Sequence, residues 1–309
     1  MISEVLSPSS RRVLPSTNPR KRLLSGLAIG GFGALVVLLG GWWFTAAVGV
    51  IVHLGLLELF RMAHFKGIRP ATKTTLVACQ LLLITTQWAA VQGGLPEALA
   101  AAVLPLSGAA ICAWLLLQPV TGSIADIAAS IFGLFYLGFL PSHWLQLRDL
   151  SAPQLAPSLA SLPEPWGWLN SGLAITLSSC LMVVASDIGS WGFGKCCGRR
   201  PLSPISPGKT VEGAIGGFAC AMVIGLICGR MLGWPLAGMP GLLLGALVAL
   251  LSLVGDLTES MMKRDAGLKD SGNVLPGHGG ILDRIDSYLF TPAVIYYAIT
   301  LALPLLPKA

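Results

Sequence analysis

Apolar residues in this chain come in long unbroken runs, not in the alternating pattern of a half-buried strand or the one-sided stripe of a soluble helix. Nine runs approach the ~20 residues that cross a hydrocarbon core. They cover about residues 23–40, 42–60, 75–93, 98–118, 127–147, 171–194, 212–233, 240–258 and 288–306. Each predicts a transmembrane α-helix, because a backbone inside a bilayer must satisfy its own hydrogen bonds. The strands of a membrane β-barrel would alternate instead. No polar stretch reaches domain size, so the expected architecture is all-α and polytopic. A single membrane domain over residues 23–309 follows a Ser/Pro/Arg-rich tail, residues 1–22, expected to be disordered and cytoplasmic. The first run is too long for the apolar region of a signal peptide, and no cleavable signal is expected.

Positive charge sets the expected orientation. With the tail inside and the spans alternating, 17 of the 20 Lys and Arg fall on the tail side, and Arg148, Arg230 and Lys308 make up the 3 on the other. Basic residues concentrate in cytoplasmic loops, so this split supports nine spans with a cytoplasmic N-terminus. Tryptophans 42, 43, 144, 166, 168 and 234 lie near predicted span ends, where indoles favour the headgroup level. The proline-rich stretch 148–170 reads as an outside connector.

Composition agrees. The chain is 54% hydrophobic and 11% charged, against about 25% charged in ordinary soluble domains, and its mean hydropathy is +0.76. The net charge of +6 calls for no nucleic acid, since anionic headgroups account for it. Seven cysteines sit mostly in apolar runs without a CxxC, so neither a disulfide framework nor a zinc site is expected. His53 and His143 read as structural, and His64 as a loop residue.

Two polar islands carry the candidate chemistry. Six of the 14 acids fall between positions 256 and 286: Asp256, Glu259, Asp265, Asp270, Asp283 and Asp286. Asp256 lies in or at the end of an apolar run, where an ionisable group is costly and faces a partner or a watery cavity. Asp256, Glu259, Ser260 and Lys263 share one helical stripe. Asp283, Asp286 and Ser287 form another if the last helix begins near Ile281. Two helix ends would then aim carboxylates at one point. Carboxylates without paired Cys or His suit a hard cation such as Mg²⁺. Glycines 277, 279 and 280 would let backbone amides approach an anion, and Lys263, Arg264, Lys269 and Arg284 add phosphate-binding charge. The second island, 186–213, places Asp187 in an apolar run and adds Lys195, Arg199, Arg200 and Lys209. Its GFGKCCG and GKT segments fail the dinucleotide and P-loop patterns in spacing and context. Glu58 is expected to pair with Arg61 near the end of its span.

These residues carry a resemblance. Ser260-Met-Met-Lys263-Arg264, Lys269-Asp270, Gly272, Leu275-Pro276, His278-Gly279-Gly280-Ile281 and Asp283-Arg284-Ile285-Asp286 resemble the signature of the phosphatidate cytidylyltransferase (CDP-diacylglycerol synthase) family. The segments S-D-x-G, F-G-K, L-S-P-x-S-P-x-K-T-V-E-G and G-D-L-x-E-S are similar to that family as well. Gly208 departs from it, standing where a second basic residue is expected before Lys209. The resemblance implies transfer of a cytidylyl group from CTP to phosphatidate, with Mg²⁺ and room for a second cation, in a homodimer; a bacterial plasma membrane is the default expectation, and the charge split puts the site on its cytoplasmic side. It implies Asp256 and Asp283 as metal ligands, with Lys263 and Asp187 also catalytic. Substrate contacts would come from Lys195, Ser203, Ser206, Lys209, Glu212, Ser260, Arg264, Lys269, Asp270, His278, Gly279, Gly280, Arg284 and Asp286. It also leaves Glu58 a chance of lining the lipid's path. A cation-coupled transporter and a lipid or polyprenol kinase stay open as alternatives. The missing internal repeat and the one-sided polar clusters speak against a transporter.

Overall fold

The structure, a computed structural model, describes residues 30–92, 95–151, 155, 162–163, 167, 169–272 and 279–305. The chain is an all-α polytopic membrane protein. Eight helices among the described residues are long and apolar enough to cross a membrane. They are α2 (Gly41–Phe65), α3 (Thr72–Gln92), α4 (Leu95–Leu116), α5 (Ile124–Arg148), α6 (Ser171–Cys197), α7 (Val211–Met231), α8 (Leu236–Asp265) and α9 (Leu282–Leu305). A shorter apolar helix, α1 (Gly30–Leu39), occupies the described part of the first expected span. The tail, residues 23–29, Trp166, Trp168, most of the 148–170 connector, Gly277, His278 and Lys308 lie outside the described residues.

The helix ends follow local chemistry. Ser123 and Asp126 form a reciprocal capping box at the start of α5. Asn170 caps α6 by accepting from the Leu173 amide at 2.6 Å. Thr210 caps α7 by accepting from the Gly213 amide at 3.1 Å. Between α6 and α7 the sequence reading has only a basic loop; the structure has an antiparallel hairpin, β1 (Pro201–Ser203) and β2 (Ser206–Thr210). The Pro204-Ile205 turn joins the two strands, which are too short for periodicity to reveal.

Small residues let α6, α7 and α8 pack closely. A methyl group at Gly225 or Gly241 would run into the other's carbonyl, so these backbones touch directly. α9 is interrupted where Pro292 lacks the amide that would bond to the Tyr288 carbonyl. The Trp144 indole donates to that carbonyl instead, at 3.1 Å. Trp144 and Trp234 are buried against the protein, whereas Trp42 and Trp43 are exposed. His143 is buried, its Nδ1 2.9 Å from the Phe139 carbonyl, as a structural histidine should be. His64 lies in the last turn of α2 rather than in a loop.

Candidate active site

The two polar islands meet. Residues of α6, the hairpin, α7, α8 and the start of α9 line one cavity of about 620 Å³. Five acids face it, Asp187, Asp256, Glu259, Asp283 and Asp286, together with four cations, Lys195, Lys209, Lys263 and Arg284. Near balance of formal charge is what lets so many ionisable groups share a site beside an apolar bundle.

Helical spacing builds the floor. Asp256 and Glu259 sit one turn apart on α8, and Asp286 comes across from α9. One oxygen from each of the three lies within 4.8 Å of the others. Gly255 makes this possible: a methyl group there would collide with the Asp286 carbonyl, so α8 and α9 touch beside the carboxylates. Glu259 and Asp286 are buried, whereas the Asp256 side chain keeps 30% exposure.

Lysines neutralise these acids. Lys209, delivered by β2, pairs with Asp256. Lys263 lies 2.5 Å from both Glu259 and Asp283, joining α8 to α9. On the α6 side, the Ser287 hydroxyl donates to Asp187 at 3.3 Å, and Lys195 stands 5.2 Å above the Trp191 ring.

Asp283 differs from the floor carboxylates. Its Oδ1 takes Lys263, and its Oδ2 accepts from the Ser271 amide at 3.0 Å, the Ser271 hydroxyl at 3.0 Å and the Gly280 amide at 2.8 Å. The structure thus groups Asp256 with Glu259 and Asp286, and turns Asp283, the ligand the resemblance implies, toward Lys263 and the chain's own amides. Gly279, at φ +82°, takes the left-handed turn that aims the Gly280 amide at Asp283.

Such a cavity of lysines and hard oxygen donors suits phosphates, and its segments are those that carry the sequence signature. The chain also matches the cytidylyltransferase family over residues 20–302. It belongs to that family. This cytidylyltransferase-family chain is 45% identical over 297 residues to a phosphatidate cytidylyltransferase of Synechocystis sp., covering 93% of this chain and 99% of the relative. It is 39% identical over 302 residues to a chloroplastic phosphatidate cytidylyltransferase of Arabidopsis thaliana, covering 93% and 74%. A Bacillus subtilis protein of the same name is 29% identical over 287 residues, covering 91% and 98%.

Within the cytidylyltransferase-family chain, other expected site residues stand outside the cavity lining. Ser203 accepts from the Ile205 amide within the hairpin turn at 3.2 Å. Ser206 lies on β2, and Ser260 is buried on α8. Arg264 donates to the Leu268 carbonyl at 3.1 Å, and Lys269 and Asp270 are exposed just beyond α8. Glu212 accepts from the Arg199 and Arg200 amides at 2.9 and 3.2 Å, tying the hairpin's base.

Two residues take positions that sequence reasoning missed. Glu259 was legible as a member of the α8 stripe, but nothing in the spacing set it above its neighbours. Glu58 does not pair with Arg61, whose guanidinium lies 5.8 Å over the Phe65 ring. Its carboxylate reaches the 271–282 segment instead, more than 200 positions away, and no local signal could have shown that.

Proposed function

We propose that this protein transfers the cytidylyl group of CTP to phosphatidate, yielding CDP-diacylglycerol and pyrophosphate, the activity its relatives are named for. The observation that carries the reading is the cavity in which acids from α6, α8 and α9 confront lysines from the hairpin and α8. A phosphate oxygen of phosphatidate attacks the α-phosphorus of CTP. One P–O bond forms as the bond to the bridging oxygen of pyrophosphate breaks. Both reactants are anions, so the reaction needs alignment and charge neutralisation more than covalent help.

Lys195, Lys209, Lys263 and Arg284 are assigned to the phosphates. Lys209 exchanges Asp256 for a triphosphate oxygen. Lys263, held between Glu259 and Asp283, presents a fixed charge. Asp187 closes the α6 side with Ser287. No general base is required, because a lipid phosphate monoester, with a second pKa of about 6, is largely ionised near neutral pH.

The donor set fits a divalent cation such as Mg²⁺: three carboxylates converge, with no sulfur or imidazole among them. Asp256, Glu259 and Asp286 would hold it, and when bound it offsets charge on the transferring phosphates. Asp283 is assigned to positioning Lys263. Ser203, Ser206, Glu212, Ser260, Arg264, Lys269 and Asp270 are assigned to supporting the segments that carry the cavity. The same proposal has the cavity open toward the cytoplasm of a bacterial plasma membrane, nine spans, and a homodimer. Acyl chains would stay in the bilayer while the headgroup meets CTP.

The test uses purified protein in detergent with phosphatidate and CTP labelled at the α-phosphate, with and without Mg²⁺. Metal-dependent label in the lipid phase with release of pyrophosphate is expected. Release of a nucleoside diphosphate would point to a kinase, and intact CTP beside folded protein would sink the reading.

A further inference from the structure

Glu58 is a buried carboxylate on a helix that contributes nothing to the cavity lining. It lies on α2, two turns from that helix's end, and only 5% of it is exposed. Burying a charge there is costly unless it is fully hydrogen-bonded. Its oxygens find donors on both sides of one segment. Oε2 accepts from the Ser271 hydroxyl at 2.9 Å and the Leu282 amide at 2.9 Å, and Oε1 accepts from the Ile281 amide at 3.0 Å.

The approach is sterically prepared. A methyl group at Gly272 or Gly280 would collide with the Glu58 carboxylate. The Ile281 and Leu282 amides stand at the start of α9, where amides lack partners within the helix and a negative charge is favoured. Glu58 thus caps α9 from another helix, and α9 carries Asp283, Arg284 and Asp286.

Ser271 extends the contact. Its hydroxyl lies 2.9 Å from Glu58 and 3.0 Å from Asp283, and its amide donates to Asp283. A hydroxyl has one proton, so the two carboxylates share a single donor. Displacing Glu58 would therefore disturb Ser271, then Asp283, then Lys263.

We propose that Glu58 is a positioning residue for the transfer reaction: by holding Ser271 and the first turn of α9 in one frame, it fixes where Asp283 sets the Lys263 charge. The proposal rests on the cytidylyl-transfer reading for its activity readout alone.

The experiment compares full-length wild type, Glu58→Gln, Ser271→Ala and the double variant. Glutamine keeps the size of Glu58 but turns one acceptor into a donor, leaving the Ile281 or Leu282 amide unmatched. The expected result for Glu58→Gln is a kcat lower by about 10- to 100-fold, the range seen when groups supporting a site's ligands are changed. The KM for CTP should stay within about threefold, and the unfolding midpoint should fall by only a few degrees for the one unmatched amide, with kcat taken per folded molecule. The double variant should be no slower than the slower single, since both changes cut one path. Hydrogen exchange at the Ile281 and Leu282 amides should quicken in Glu58→Gln, with α7 unchanged.

Ser271→Ala guards against misfolding of the Glu58 variant, because it removes only the shared donor. An undiminished kcat in Ser271→Ala, or a Glu58→Gln loss matched by loss of folded protein, would overturn the proposal. So would unchanged exchange at α9. Exchange reads the clamp whatever the substrate is, so a wild type that fails to label lipid counts against cytidylyl transfer and leaves this arm to decide Glu58.

Discussion

The acids in and behind the cavity fall into two regions that differ in how they are satisfied. Asp283 and Glu58 have oxygens filled by the chain's own donors: backbone amides of residues 271, 280, 281 and 282, the Ser271 hydroxyl and Lys263. Asp256 and Glu259 face lysine side chains instead, and with Asp286 they converge on open space. A carboxylate wrapped in backbone amides is fixed in place and holds the fold around it. Asp256, matched by the partly exposed Lys209, can exchange that lysine for a ligand. The first region thus reads as framework and the second as the binding surface, although Asp283 shares one 31-residue window with Asp256, Glu259 and Asp286.

The sharpest way to break this comparison is to neutralise one member of each region. Asp256→Asn should lower kcat by about 10³-fold, roughly 4 kcal/mol of transition-state stabilisation. Its unfolding midpoint should stay near wild type, because Lys209 can return to water. Asp283→Asn should also lower kcat, by about 10²-fold or more, yet cost about 3 kcal/mol of stability as well, since it breaks a largely buried ion pair and turns an amide group toward donors. The assay is lipid labelling from CTP beside thermal unfolding in detergent. Equal stability losses in the two variants would erase the distinction between framework and binding surface.

A smaller effect should come from backbone spacing alone. In Gly255→Ala the new methyl must push α8 from the Asp286 carbonyl and spread the three floor carboxylates. Displacements near 1 Å in an aligned site cost up to about 10²-fold, so a kcat loss of about 10- to 100-fold is expected. Gly245→Ala meets Ala221 in a similar collision farther along the same helix. It should lower stability while leaving kcat per folded molecule within about threefold. If both alanines slowed turnover equally, the contact beside Asp286 would have no special place.

Much of this was legible in the sequence. The apolar runs located the spans to within a few residues at most boundaries, because crossing a bilayer demands both length and apolarity. Charge in apolar surroundings marked Asp187 and Asp256, and both line the cavity. That Glu259, and not Asp283, would stand beside Asp256 and Asp286 was not legible. Both lie on correct helical stripes, and only the α8–α9 contact at Gly255 decides which oxygens converge. The burial of Trp144 was not legible, because its partner, the carbonyl freed by Pro292, comes from a helix about 150 positions later. The hairpin escaped for a different reason: strands of three and five residues carry no usable period.

The smallest predicted effect tests whether satisfaction by backbone amides marks framework even at the surface. Glu212 is partly exposed, and its Oε2 accepts from the Arg199 and Arg200 amides at the foot of the hairpin that delivers Lys209. In Glu212→Gln one amide oxygen can still accept from both, and water can replace whatever is lost. Turnover at saturating CTP should stay within about threefold of wild type, since water-accessible hydrogen bonds contribute little net. The KM for CTP should rise a few-fold as Lys209 loses part of its anchorage. A kcat loss beyond about 100-fold would instead make Glu212 a direct substrate contact, and would show that backbone satisfaction does not separate framework from binding surface outside the buried clamp.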